Sequence, residues 1–238
     1  MKEWTLVTGA AKGLGEEICR SLAKNGIPVI LHYNTSENAA LTIQQQLMEQ
    51  GADVEIIQGD FSTAVGTKEF TERLLALNLP IKNIINNVGN YFIGSLLNTS
   101  VEEWESLFQT NTHAPFMIIK ALSSSVRKFT GSVINIGVAG VNNCCADVYS
   151  PAYTLSKTAL LGLTKSLAKE LAADHVTVNM VSPGHLENSV DLPKNINKIP
   201  MKRPASFEEV TDMILFLISD KGRYITGQNI EVAGGIRI

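Results

Sequence analysis

The 238-residue chain has little cysteine: Cys19, Cys144 and Cys145 are the whole complement. An odd, sparse set of thiols argues against a disulfide framework and for a reducing compartment. No apolar run approaches the ~20 residues that a membrane helix requires. No lysine- or arginine-rich run occurs and the formal net charge is −3, so a nucleic-acid partner is not expected. No spacing of His and Cys fits a metal centre, and the vicinal pair Cys144 and Cys145 reads as loop packing. The first residues, Met1-Lys2-Glu3-Trp4, run directly into a strand-like segment, so no secretory leader is expected. Together these absences predict a cytoplasmic protein with neither membrane nor nucleic-acid partners.

What is present is a globular pattern. Hydrophobic residues make up 45% of the chain and charged residues 18%, unlike a disordered segment. The length suits one large α/β domain spanning 1–238. Short, mostly β-branched runs at 4–7, 28–31, 54–57, 81–85, 133–136, 176–181 and 230–232 read as strands covered on both faces. Helical patterns alternate with them. Ser100 with Glu103, and Ser206 with Glu209, form two capping boxes, the first opening a long helix near Trp104. Strict alternation predicts a Rossmann-type, doubly wound parallel sheet of seven strands with helices on both faces. Residues 186–205 hold Pro193, Pro200 and Pro204 with little periodicity, as in a loop that covers a substrate.

Thr8-Gly-Ala-Ala-Lys-Gly-Leu-Gly15 follows the first strand and opens the first helix. Glycines at 9, 13 and 15 permit a tight turn, and the helix N-terminus offers N–H groups to a pyrophosphate. Tyr153 and Lys157 stand four apart, one helical turn. A neighbouring ammonium lowers a phenol's pKa and readies it for proton exchange with a carbonyl oxygen. Tyr149 is followed by Tyr153 rather than by lysine at the same spacing. Pro115 lacks the N–H that would bond the carbonyl of Asn111, which frees that carbonyl for another donor.

The Gly-x-x-x-Gly-x-Gly turn, Asn86-Asn-Val-Gly89, Tyr153-x-x-x-Lys157 and Asn179-Met-Val-Ser-Pro-Gly184 occur in this order. The whole chain thereby resembles the short-chain dehydrogenase/reductase family. That resemblance implies Tyr153, Lys157 and Asn111 as the catalytic set, with the Asn111 carbonyl joined through a water to Lys157. It implies a nicotinamide dinucleotide held by Thr8, Gly9, Lys12, Gly13, Leu14 and Gly15 at the turn. Tyr33, Asn34, Asp60 and Phe61 would lie on the adenine side. Asn87, Gly89, Tyr153, Lys157, Pro183, Gly184 and Leu186 would lie along the nicotinamide side. Related NAD-dependent proteins place a carboxylate where Tyr33 stands here. Its absence, with Lys12 in the turn, favours NADP(H) over NAD(H).

One departure stands out. The family's fifth strand ends in a serine that binds the substrate oxygen, and here Val138 falls at that position. Residues 141–151 read as about two residues longer than usual. Asn142, Asn143 or Asp147 is expected to fold back and supply the missing donor. Among four scattered histidines, only His185 is expected to face the cleft, so Val138, Asn142, Asn143 and His185 form the candidate substrate set. The motif texture is most similar to 3-oxoacyl-acyl-carrier-protein reductases, which act on an acyl thioester. Pteridine and sugar or polyol reductases of the family are alternatives, as is a cofactor-binding member with impaired catalysis. A homotetramer is the family expectation.

Overall fold

The structure is a computed structural model describing residues 2–143, 146–189 and 192–237. The reading of Cys144 and Cys145 lies outside the described residues. Strands β1 (Trp4–Val7), β2 (Val29–Tyr33), β3 (Val54–Gln58), β4 (Ile81–Asn86), β5 (Ser132–Ile136), β6 (Thr177–Pro183) and β7 (Asn229–Val232) form one sheet in the order β3-β2-β1-β4-β5-β6-β7. All neighbours are parallel. The helices are α1 (Gly13–Lys24), α2 (Glu37–Glu49), α3 (Ala64–Ala76), α4 (Val101–Phe108), α5 (Ala114–Lys128), α6 (Pro151–Leu171) and α7 (Phe207–Ile218).

Successive strand residues point to opposite faces, and here both faces are apolar. Leu6, Ile30, Ile84 and Val133 pack with Phe70 and Leu74 of α3, Ile118 and Leu122 of α5, and Leu171 of α6. Their neighbours Val7, Leu31, Ile85 and Ile134 pack on the other side with Ile18 of α1, Ile43 of α2 and Ile214 of α7. Two cores thus clamp the sheet. Each fully buried aliphatic side chain contributes on the order of 1.5–3 kcal/mol.

Most strand ends move by one or two residues from the sequence expectation, and two differences bear on the site. The second strand starts at Val29 rather than Pro28 and runs on to Tyr33. Pro28 has no N–H to give the ladder, although its carbonyl accepts the Thr5 N–H at 2.9 Å. The extension puts His32 and Tyr33 at the carboxyl edge of the sheet. The long helix expected from Trp104 divides into α4, a wide turn over Gln109–His113, and α5. Pro115, in the first turn of α5, removes a donor there, and the chain widens locally to i→i+5 spacing. Both capping boxes are present. Among the described residues, no helix is long and apolar enough to cross a membrane.

The strand order reverses between β1 and β4. At such a switch point, connections leave in opposite directions and open a crevice outside the carboxyl ends. The segment that begins at Leu186 lines one side of it through Leu186, Asn188 and Ser189. Its ends are pinned where the Ala205 N–H donates to the His185 carbonyl at 2.9 Å and the Glu187 N–H to the Ala205 carbonyl at 3.2 Å.

Candidate active site

A cavity of about 720 Å³ fills the crevice, within the usual range for ligand sites. The glycine-rich turn forms one wall. Gly9 and Gly13 adopt φ +63° and +58°, where a side chain would be strained. A Cβ at Gly15 would lie 2.2 Å from the Gly9 carbonyl oxygen and 2.7 Å from Asn87 Nδ2, so only glycine lets the helix approach the turn. Lys12, at the N-cap of α1, makes no capping bond of its own and lines the cavity, as does Leu14. Thr8 does not line it. Instead its Oγ1 accepts the N–H groups of Asn87 and Val88 at 2.9 and 3.1 Å, and Asn87 Nδ2 donates to the Thr8 and Gly9 carbonyls at 3.0 and 3.1 Å. The first and fourth strand ends are thereby tied together.

Tyr33, Asn34, Asp60 and Phe61 line the same cavity at the ends of β2 and β3. Asp60 Oδ1 accepts the Ser62 N–H at 2.9 Å and approaches Asn34 Nδ2 at 3.5 Å. The Tyr33 hydroxyl donates to Glu37 at 3.3 Å. Position 33 carries no carboxylate, but Glu37, the first residue of α2, brings one to its hydroxyl; burial, first, and that carboxylate raise the phenol's pKa.

At the other end, Tyr153 lines the cavity. Lys157 lies behind it, 3% exposed, and its Nζ donates to the Ile136 carbonyl at 2.8 Å. Burial lowers its pKa from 10.5 to about 8. The ammonium is 5.9 Å from the Tyr153 ring centre. Gly89 faces both Lys157 and Asn111: a Cβ there would come 3.3 Å from Nζ and 3.4 Å from Asn111 Oδ1. Asn111 is fully buried in the widened turn. Its Oδ1 accepts the Asn90 N–H at 2.8 Å, and its Nδ2 donates to the Asn90 carbonyl at 3.0 Å and to Ser156 Oγ at 2.9 Å. The side chain therefore clamps the loop after β4 to α6, a task that its sequence context did not reveal.

Val138, Pro183, Gly184, His185 and Leu186 line the cavity. Asn142 and Asn143 do not, and this corrects the expectation that they turn inward. Gly140 at φ +82° bends the chain, the Asn143 N–H closes a turn onto the Gly140 carbonyl at 3.0 Å, and Asn143 Nδ2 donates to the Arg237 carbonyl at 2.5 Å. The loop is thus drawn toward the last residues of the chain. Asp147 is committed elsewhere as well. It accepts the Tyr149 and Ser150 N–H groups at 2.8 and 3.1 Å and Thr154 Oγ1 at 2.6 Å, fixing the start of α6. These bonds lower its carboxyl pKa against the opposing effect of burial, which is the largest single influence.

Lining residues that the sequence did not single out include His32, Tyr91, Ser150 and Arg237. Tyr91 stands edge-on to Tyr153, with ring centres 4.7 Å apart. Its position after Asn86-Asn-Val-Gly89 was the available signal. Arg237 is remote in sequence from everything it meets here, so no local pattern announces it.

The residues present fit a dinucleotide, with a backbone cradle that excludes Cβ atoms, a basic helix start and a cleft at the switch point. A family model described as enoyl-(acyl carrier protein) reductase matches residues 9–237. The chain is 34% identical over 244 residues to the 3-oxoacyl-(acyl-carrier-protein) reductase FabG of Buchnera aphidicola subsp. Schizaphis graminum, covering 99% of this chain and 97% of that protein. It is 31% identical over 245 residues to YmfI of Bacillus subtilis, an uncharacterized oxidoreductase, with 99% of each covered. Among solved structures, the blue fluorescent protein from a metagenomic library in complex with NADPH matches with a TM-score of 0.92 and 28% identity over 99% of this chain and 98% of that one. The acetoin dehydrogenase of Enterobacter cloacae matches with a TM-score of 0.89 and 26% identity, covering 99% of this chain and 96% of that one.

Proposed function

The chain belongs to the short-chain dehydrogenase/reductase family and is an NAD(P)-dependent oxidoreductase, and from that premise we propose that it reduces a carbonyl to a hydroxyl with NADPH, on a substrate of the 3-oxoacyl thioester class. The observation that carries this reading is Tyr153 lining the cavity with the buried ammonium of Lys157 behind it. When bound, the reduced nicotinamide supplies a hydride to the carbonyl carbon. Tyr153 gives its phenolic proton to the carbonyl oxygen as negative charge develops there. Lys157 stabilises the phenolate left behind and, through its charge, favours that transfer. The Asn111 carbonyl, relieved of its helical partner by Pro115, accepts the next hydrogen bond in the route that returns a proton to the site.

Gly9, Lys12, Gly13, Leu14 and Gly15 would hold the pyrophosphate, over the tie that Thr8 makes. Asn34, Asp60 and Phe61 would hold the adenosine, and Asn87, Gly89, Pro183, Gly184 and Leu186 the nicotinamide half. The preference for NADPH over NADH is supported by Lys12 in the turn and by Tyr33 in place of an acid, with Glu37 engaged by the Tyr33 hydroxyl. Residues 1–238 act as one catalytic unit in this reading, assembled as a cytoplasmic homotetramer, with Val138 and His185 on the substrate side.

A second reading, reduction of a pteridine, is favoured by Tyr91. Its ring lines the cavity beside Tyr153 and is 40% exposed, a face on which a flat heterocycle can stack. One panel separates the readings: NADPH oxidation with β-keto thioesters, dihydropterins and small ketones, alongside fluorescence titration of NADPH and NADH. Turnover of thioesters with tighter NADPH binding is the expected result. Turnover of dihydropterins alone selects the second reading. Cofactor binding without any turnover would overturn both.

A further inference from the structure

We propose that His32 is a positioning residue that fixes the phosphate turn against the adenine-side loop and thereby couples the two ends of the nucleotide site; this rests on the dinucleotide reading above. The residue is in β2, 1% exposed, between the strands that carry the two loops. Its Nδ1 accepts the Gly9 N–H at 3.0 Å. Because Nδ1 accepts, the ring hydrogen of the neutral imidazole lies on Nε2, which donates to the Gly59 carbonyl at 3.0 Å. One ring therefore spans from the Gly-rich turn after β1 to the loop after β3. The backbone makes the same connection: the Ala10 N–H donates to the His32 carbonyl at 2.8 Å and the Gly59 N–H to the Tyr33 carbonyl at 2.9 Å.

The seat of the ring is close-fitting. It stacks on Phe61 at 4.2 Å with planes 3° apart and meets Phe70 edge-on at 5.0 Å. A Cβ at Gly59 would come 2.7 Å from the Phe70 ring and 3.1 Å from Nε2. Burial lowers the pKa of His32 to about 4, with Arg73 a smaller influence in the same direction and the bond to Gly59 opposing both. The imidazole is thus neutral at pH 7 and keeps a single tautomer. Phe61, Gly59 and Gly9 all line the cavity, as does His32 itself. A histidine that only filled the core would not need both ring nitrogens aimed at the backbone of two ligand-facing loops.

Three variants separate positioning from packing. His32→Asn keeps an acceptor near Nδ1 for Gly9 and loses the bond to Gly59. His32→Gln extends an amide N–H toward Gly59 and loses the bond to Gly9. His32→Leu loses both. Titration by fluorescence should show NADPH binding weakened about tenfold to hundredfold in His32→Leu, the scale of buried hydrogen-bond partners left unmet. Asn and Gln should each restore part of the affinity, and kcat at saturating NADPH should stay within about threefold of wild type because Tyr153 and Lys157 are untouched. Wild-type affinity in His32→Leu would overturn the proposal. So would affinities that follow each variant's Tm regardless of which bond it keeps. If the leucine variant does not fold, Asn and Gln carry the test, and wild-type affinity in both overturns it. A wild-type protein that binds no NADPH would instead overturn the dinucleotide reading itself.

Discussion

The two halves of the cleft are built in opposite ways. The half proposed to hold the nucleotide, around β1, β2, β3 and the end of β4, is made largely of backbone and small residues. Gly9, Gly13 and Gly15 give shape, Thr8 and Asn87 tie strand ends, and His32 spans the loops. The half proposed to meet the substrate, beyond the end of β5, is made of side chains that arrive from distant parts of the chain. Tyr91, Val138, Tyr153, His185 and Arg237 share one cavity although 146 positions separate the first from the last. A backbone cradle tolerates few substitutions and recognises one ligand shape. A wall of side chains can change its substrate while the frame persists.

The comparison breaks most visibly at Tyr153. Tyr153→Phe keeps the ring and removes only the acid, so carbonyl reduction should fall by about 10²- to 10⁴-fold while fluorescence titration finds NADPH binding within a few-fold of wild type. Unchanged turnover would place the proton donor elsewhere.

Lys157 links the halves through its charge. With its pKa lowered to about 8 by burial, kcat/KM for NADPH should fall about tenfold per pH unit well above that value. Stability should move the other way. The unfolded lysine stays protonated to the ordinary range near 10.4, so between those values the unfolded state binds more protons and unfolding free energy rises with pH. Thermal melts from pH 7.5 to 10 should show a rise that disappears in Lys157→Met.

Gly15→Ala tests the rigid half. Its methyl would lie 2.2 Å from the Gly9 carbonyl oxygen, and forcing it in should cost about 1–3 kcal/mol of stability. A denaturant titration measures that cost, and NADPH affinity should drop at least about tenfold. An alanine that binds NADPH normally would show the turn to be more pliant than its contacts imply.

The substrate half should respond more mildly. Because Asn142 and Asn143 do not line the cavity, alanine at either should change the rate less than about twofold. Val138→Ser should raise turnover of a neutral ketone about tenfold, part of the 10²–10³ that one well-placed oxyanion donor is worth. A slow Asn143→Ala variant with an unaffected Val138→Ser would return the donor role to the loop.

Much of this was legible in the chain itself. Alternating β-branched and amphipathic segments determine a parallel sheet, because strands covered on both faces must be apolar at every position. Glycine spacing determines the turn, because only glycine accepts those dihedrals and approaches. The spacing of four from Tyr153 to Lys157 determines that they share a helix face. Pro115, through its missing N–H, marked where the Asn111 carbonyl loses its helical partner, but not that the helix would divide there. Tertiary structure alone decided the rest. Asn142 and Asn143 are polar and near the strand end, yet neither lines the cleft, and Asn143 is held by the turn at Gly140 and the carbonyl of Arg237. His32 looks like one more strand residue until Gly9, 23 positions before it, and Gly59, 27 after it, arrive on either side of its ring. A side chain's hydrogen-bond partners depend on which backbone groups are left unpaired nearby, and that is fixed only when distant strands take their order in the sheet.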